Sequence, residues 1–267
     1  GIGFRYLSNG TTGHMDFRTD EYLYIPLGLT LRTSPSPNHV LGLTVEYDHL
    51  LRGWQTTRNS LLGSGTVPAT STAPAFVIGD GSGNPSFSNK LIIAGAGSFL
   101  SNLVIGLNVQ VGAHGAYNQL IVSNQGVFVS RGVLTLGSSA DSSNNLVLVT
   151  GANSLFNVTN NSTSVVGGQG FGNQLVVSNG GYYRQDNGSV TVGSAGGNSN
   201  MVIVTGSGSL WSNRLDLVIG GPSGATNELR ITDGGVVYCQ NGNLGFATIC
   251  RSNTAHVIGA QWIQRGN

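Results

Sequence analysis

The chain has 267 residues, of which 9% are charged against about 25% in an ordinary soluble domain, and its formal net charge is +1. That balance gives no electrostatic reason to expect nucleic acid or an anionic membrane as a partner. Glycine reaches 42 residues, Asn, Ser and Thr stand where Lys and Glu usually do, and helix formers are too few for a helical bundle.

The chain opens on GIGFRYLSNG, without an initiator Met or a basic segment leading into an apolar run, which reads as a mature product or a fragment. Two long strand candidates follow, EYLYIPLGLTLR (Glu21 to Arg32) and HVLGLTVEYDHLLRGWQ (His39 to Gln55). The turn TSPSPN between them predicts an antiparallel hairpin, and Leu27, Leu29, Leu31 and Leu43, Val45, Tyr47 give each strand one apolar face. The densest polar group is EYDHLLR, with Glu46, Asp48, His49 and Arg52; GHMDF adds His14 and Asp16. His14, Asp16, Asp48 and His49 are therefore the candidate catalytic set. Imidazoles and carboxylates of this kind could hold a metal that activates water for ester or lactone hydrolysis. No spacing enforces their convergence, and a polar strand face explains them more simply. GSGTVPATSTAP (Gly63 to Pro74) then reads as a linker, which divides the chain into an antiparallel segment, 1–70, and a second region, 71–267.

The second region repeats. The pattern Asn-x-(Leu/Val)-x-(Ile/Val/Leu) occurs at Asn89, Asn118, Asn144, Asn173, Asn200 and Asn227. Its steps are roughly 26 to 29 residues, within the range that marks a solenoid. A second apolar strand closes most units at a glycine: FVIG at Gly79, LVIG at Gly106, LTLG at Gly137, VVG at Gly167, VTVG at Gly193 and LVIG at Gly220. A finer alternation overlies this. AGAGSFL, TGANSLF and TGSGSLW alternate with SNQGVFV, SNGGYYR and TDGGVVY. Equivalent positions therefore recur roughly every 54 to 56 residues, a pair of units at a time. Within NQLIVSN and NQLVVSN the residues Leu120, Val122, Leu175 and Val177 share one face. Such strands are too short to stand alone, and stacking them buries their inward faces in one column. The expectation is an all-β parallel β-solenoid, a right-handed β-helix of about 27-residue turns, preceded by a short antiparallel segment. A propeller or sandwich that uses each pair of units as one block is the runner-up.

The recurring Asn suits an amide ladder along stacked corners. A periodic calcium site would need repeated carboxylates, and Asp141, Asp186, Asp216, Glu228 and Asp233 do not recur in register. Trp211 and Phe156 occupy equivalent positions in successive pairs of units and read as stacked core residues. The repeat departs from its pattern at GGYYRQDNG, which makes Tyr182, Tyr183, Arg184 and Asp186 the candidate sugar-binding patch: aromatic rings stack on sugars and Arg grips carboxylates. Strand alternation turns one of the two tyrosines inward. HExxH, the GxSxG elbow and the P-loop are all missing, so no cofactor or metal is expected. Cys239 and Cys250 could pair or remain free thiols. No run approaches the roughly 18 apolar residues of a membrane-spanning helix.

The stretches NMVIVTGSGSLWSN and NQLVVSNGG resemble the passenger regions of autotransporter-type bacterial surface proteins, over residues 75 to 254. The resemblance implies a β-helix that serves as a scaffold or adhesin without chemistry of its own. It would be secreted or on the cell surface, associated with the outer membrane, and directed at a glycan or host ligand. LYIPLGLTLR and LGLTVEYDHLLRGWQTTR resemble strands of outer-membrane β-barrels; two strands cannot close a barrel, so this segment is expected as a cap or a displaced barrel fragment. HVIGAQW (His256 to Trp262) resembles the start of another repeat, which implies truncation and an uncapped end open to self-association. The alternatives are the hydrolase with its site in the N-terminal segment and a polysaccharide-active β-helix.

Overall fold

The computed structural model describes residues 76–80, 86–102, 105–246 and 249–266 in full, together with the backbone of three earlier strands. The chain divides into two units, Gly1–Ser71 and Thr72–Asn267. In the first, Gly3–Asn9, Asp16–Ser36 and His39–Asn59 form a three-stranded antiparallel sheet with the middle strand at its centre.

The second unit is a parallel β-solenoid of three sheets, each of seven strands, and a turn takes about 27 residues. Sheet 1 runs from Phe76–Ile78 to Gly242–Leu244 in three-residue strands. Sheet 2 runs from Lys90–Ala94 to Thr254–Ile258 in five-residue strands, and sheet 3 from Phe99–Asn102 to Gln261–Gln264 in four-residue strands. Alternation along each short strand decides what is inside. Leu120, Val122, Leu175 and Val177 are all fully buried, as their phase predicts. The inward rows join into one continuous core from Ile78 to Cys239.

One inward row of sheet 3 is aromatic. Leu100, Phe128, Phe156, Tyr183, Trp211, Val237 and Trp262 stack in register through seven turns. Phe128 and Phe156 lie parallel with centroids 4.7 Å apart, whereas Tyr183 meets Phe156 and Trp211 edge to face at 5.4 and 6.0 Å. Such pairs contribute about 0.5–1.5 kcal/mol each beyond area burial. Phe156 and Trp211 are thus core residues.

The recurring Asn forms a ladder at the corner between sheets 1 and 2. Asn89, Asn118, Asn145, Asn173, Asn200, Asn227 and Asn253 stack one per turn, and each Nδ2 donates to the Oδ1 of the next at 2.9–3.1 Å. The backbone N–H of each from Asn89 to Asn227 also donates to that same Oδ1, and from Asn118 onward the second Nδ2 hydrogen reaches a carbonyl of the neighbouring corner, as from Asn173 to Ser142 at 3.0 Å. A buried amide satisfied at every position costs little to bury.

Two sequence assignments change here. The third ladder member is Asn145, not Asn144: Leu146 pairs with Gln119, Asn145 is buried, and Asn144 lies exposed with φ +53. The closing strand of the second turn is Val109–Val111 before Gly112, not LVIG before Gly106. The physical reason is the ladder itself. A Cβ on Gly112 would fall 2.2 Å from Asn145 Nδ2, and Gly79, Gly137, Gly167, Gly193 and Gly220 meet their own Asn in the same way, while nothing lies within 4 Å at Gly106. Each closing glycine leaves the space that the amide of the next turn fills, and does so with φ between +69 and +80.

The alternation of two unit classes also has a cause. Between sheets 2 and 3 the connection has four residues in one class (151–154, 206–209) and three in the other (124–126, 179–181). The four-residue corner ends in a serine whose Oγ accepts a backbone N–H from the preceding three-residue corner: Gln125 to Ser154 and Gly180 to Ser209, both at 3.0 Å. Consecutive corners interlock in pairs, which makes two turns the sequence period.

Candidate functional site

The corner between sheets 3 and 1 behaves differently. From Arg131 onward its connections run from two to five residues, and the residue following the sheet 3 strand changes from turn to turn: Arg131, Thr159, Asp186, Arg214, Gln240 and Arg265. Beneath the groove-forming turns, Gln185 and Asn213, the last inward residues of their sheet 3 strands, are polar and tie the corner down. Gln185 accepts from Ser164 at 2.9 Å, and Asn213 donates to the carbonyls of Leu215 and Asp216 at 3.1 and 2.7 Å.

Above them an open groove of about 660 Å³ is lined by Arg184, Asp186, Ser212, Arg214, Gln240 and Arg265 among others. Arg184 forms an ion pair with Asp186, two residues on along the chain. Arg214 donates to Asn187 Oδ1 at 2.9 Å, and the Arg265 guanidinium lies 4.3 Å over the Tyr238 ring. Among the described residues neither Arg214 nor Arg265 is paired with a carboxylate. The groove thus gathers three arginines against one acid, a balance of about +2 in a protein whose whole formal charge is +1. Its charges climb the solenoid in steps of the strand spacing, roughly 4.8 Å per turn.

The proposed patch divides along its strand. Tyr182, Arg184 and Asp186 reach the outer surface, but Tyr183 has no exposed area at all and belongs to the aromatic row. Burial holds its hydroxyl neutral far above the ordinary tyrosine range, with a weak opposing effect from Ser164. Tyr183 is therefore a correction to the patch: the inward phase of the strand leaves it no face for a ligand. Reasoning from the sequence missed Arg214 and Arg265, which follow the sheet 3 strands one and three turns beyond that of Arg184 and converge with it only when the turns stack.

A second constellation lies at the corner between sheets 1 and 2. Ser139 Oγ is 3.4 Å from His114 Nε2, and His114 Nδ1 is 3.3 and 3.4 Å from the two carboxylate oxygens of Asp141. His114 and Asp141 are 27 residues apart, one turn of the solenoid, and the sequence period alone would have placed one above the other.

In the N-terminal unit, His14 lies outside the described residues, as do the side chains of Asp16, Asp48 and His49. The backbone register pairs Asp16 with Asn59, Asp48 with Pro26 and His49 with Ile25. Asp16 is therefore about 35 Å along the ladder from Asp48, at roughly 3.3 Å per residue. Cys239 is buried on the inner face and receives the Trp262 indole N–H at 3.2 Å, while Cys250 bonds the carbonyls of Gly220 and Gly221; both are free thiols. Among the described residues there is no cluster of metal-ligating side chains, and no helix long and apolar enough to cross a membrane.

Compared with known proteins, the chain matches no family model, no curated protein and no solved structure.

Proposed function

We propose that the solenoid is a surface scaffold and adhesin that holds a glycan in the groove of Arg184, Arg214 and Arg265. The observation that carries this reading is the contrast between corners of one coil. The asparagines and glycines that repeat have a structural use, whereas Arg184, Arg214 and Arg265, which break the repeat, line one open groove. Guanidinium groups there suit carboxylate or sulfate substituents, which they can bind through paired hydrogen bonds. Tyr182, half-buried two residues before Arg184, offers a ring face beside them. Binding rather than cleavage fits the lining, since glycoside hydrolysis ordinarily needs two carboxylates and Asp186 is the one acid in the groove.

The wider assignment, to an autotransporter-type passenger displayed on a bacterial outer membrane or secreted from it, rests on the repeat phrases and the solenoid they form. Its glycan ligand is testable on an array of neutral and acidic oligosaccharides. The protein is expected to bind, and Arg214→Ser with Arg265→Gln is expected to lose at least tenfold in affinity. Absence of binding to every glycan, or equal binding by that variant, would overturn the groove.

A further inference from the structure

We propose that Ser139, His114 and Asp141 form a nucleophilic site that hydrolyses small acyl esters, of the kind carried on the hydroxyls of a polymer. This goes beyond the adhesive reading and rests on a different corner of the coil.

The atoms are matched to the roles. His114 presents Nε2 to the Ser139 hydroxyl and Nδ1 to the Asp141 carboxylate, at 3.4 and 3.3 Å. A carboxylate accepting the Nδ1 proton fixes the tautomer in which Nε2 is free to take a proton from serine. Catalytic hydrogen bonds of this length in an unliganded site are usual and shorten when substrate binds.

The fold explains why the three meet. His114 follows the sheet 1 strand Val109–Val111, and Ser139 and Asp141 follow the next strand of the same sheet, Leu134–Leu136, one turn on. Ser139 to Ser142 form a turn closed by Ser142 N–H donating to the Ser139 carbonyl at 2.9 Å. Ser142 Oγ, fully buried, donates to the carbonyl of Ala113 at 2.9 Å and pins that turn to the residue before His114. The nucleophile and its base are thus held in register by a buried bond between their own corners.

A turn closed between its first and fourth residues leaves the N–H groups of its second and third without an internal acceptor. Here these belong to Ala140 and Asp141, both exposed and next to Ser139, where they can meet the oxyanion of a tetrahedral intermediate. His114 and Asp141 are 42% and 43% exposed, so the site has no walls of its own. An ester presented on a large polymer brings its own cover, and a buried, compact substrate is not required.

Ser139 Oγ attacks the acyl carbon while its proton passes to His114 Nε2. The bond to the alcohol oxygen breaks, and the alcohol leaves with that proton. Water, deprotonated by His114, then cleaves the acyl-serine to carboxylic acid and restores Ser139. The Asp141 carboxylate acts throughout by positioning His114.

The test is covalent labelling of the full chain with a fluorophosphonate, followed by peptide mass mapping, together with turnover of p-nitrophenyl acetate. One phosphonyl group is expected on Ser139, none on Ser139→Ala, and labelling at least tenfold slower in His114→Gln. Asp141→Asn is expected to lower kcat on the acetate about tenfold with KM unchanged, and Asp141→Glu to restore part of it. All three side chains reach solvent, so these variants should fold, which circular dichroism checks. No adduct on Ser139, or labelling at an unchanged rate in His114→Gln, overturns the proposal.

Discussion

Two corners of the same coil follow opposite rules. Between sheets 1 and 2 the chain takes seven to nine residues in the turns from Val111 onward, yet every crossing opens on a glycine and closes on an asparagine. Between sheets 3 and 1 the connection is shorter, and its first residue runs from Arg131 through Thr159 and Asp186 to Arg214, Gln240 and Arg265. The first corner is constrained because its amides bond to one another: changing one disturbs the turns on both sides. The second is anchored from below by Gln185 and Asn213, so the residues above it are free to vary. In a solenoid, sameness from turn to turn marks what holds the stack, and difference marks what the stack can present.

The sharpest way to break that comparison is at the ladder. Asn173→Leu leaves the Asn145 N–H and Nδ2 without their shared acceptor and the Ser142 carbonyl without a donor. Unfolding in urea is expected to show a loss of about 3–5 kcal/mol. Gly137→Ala, whose Cβ would fall 2.2 Å from Asn173 Nδ2 at φ +73, should cost about 2–4 kcal/mol. The two together should cost less than their sum, because both destroy one contact.

A smaller effect separates inside from outside on one strand. Burial raises the proton affinity of Tyr183 in the folded state, so folded protein keeps that proton after the unfolded chain has lost it. Its contribution is fully present below about pH 10 and falls by about 1.4 kcal/mol per pH unit above it. The Tyr183→Phe variant should be comparably stable at pH 7 and lose less stability between about pH 10 and 11.5 than the parent, as chemical denaturation at both values will show. An equal slope would mean that the ring is not buried.

The smallest effect on stability belongs to the variable corner. Arg214→Ser and Arg265→Gln should each shift unfolding by about 0.5 kcal/mol or less, since both side chains are exposed. A larger loss from either would place that arginine with the structural rows instead of the groove.

Particular residues show how far the sequence could be read. The pattern of Leu120, Val122, Leu175 and Val177 is enough to give parallel strands, an inward face and a stacking period, because alternation and repeat length are properties of the chain itself. The same pattern misplaced Asn144 and Gly106 by following letters: only the partner across the turn distinguishes Asn145, which bonds Asn173, from a neighbour of the same type. Of the patch at GGYYRQDNG, strand phase could say that one tyrosine turns inward but not which.

Composition, repeat and alternation thus determined the class of the fold and where its pattern breaks. Tertiary structure decided which residues meet. Arg184, Arg214 and Arg265 share a groove, and Ser139, His114 and Asp141 share a corner, because parallel stacking advances the chain only roughly 4.8 Å with each turn. That distance is fixed by backbone hydrogen bonds between turns, and no local property of the chain encodes it.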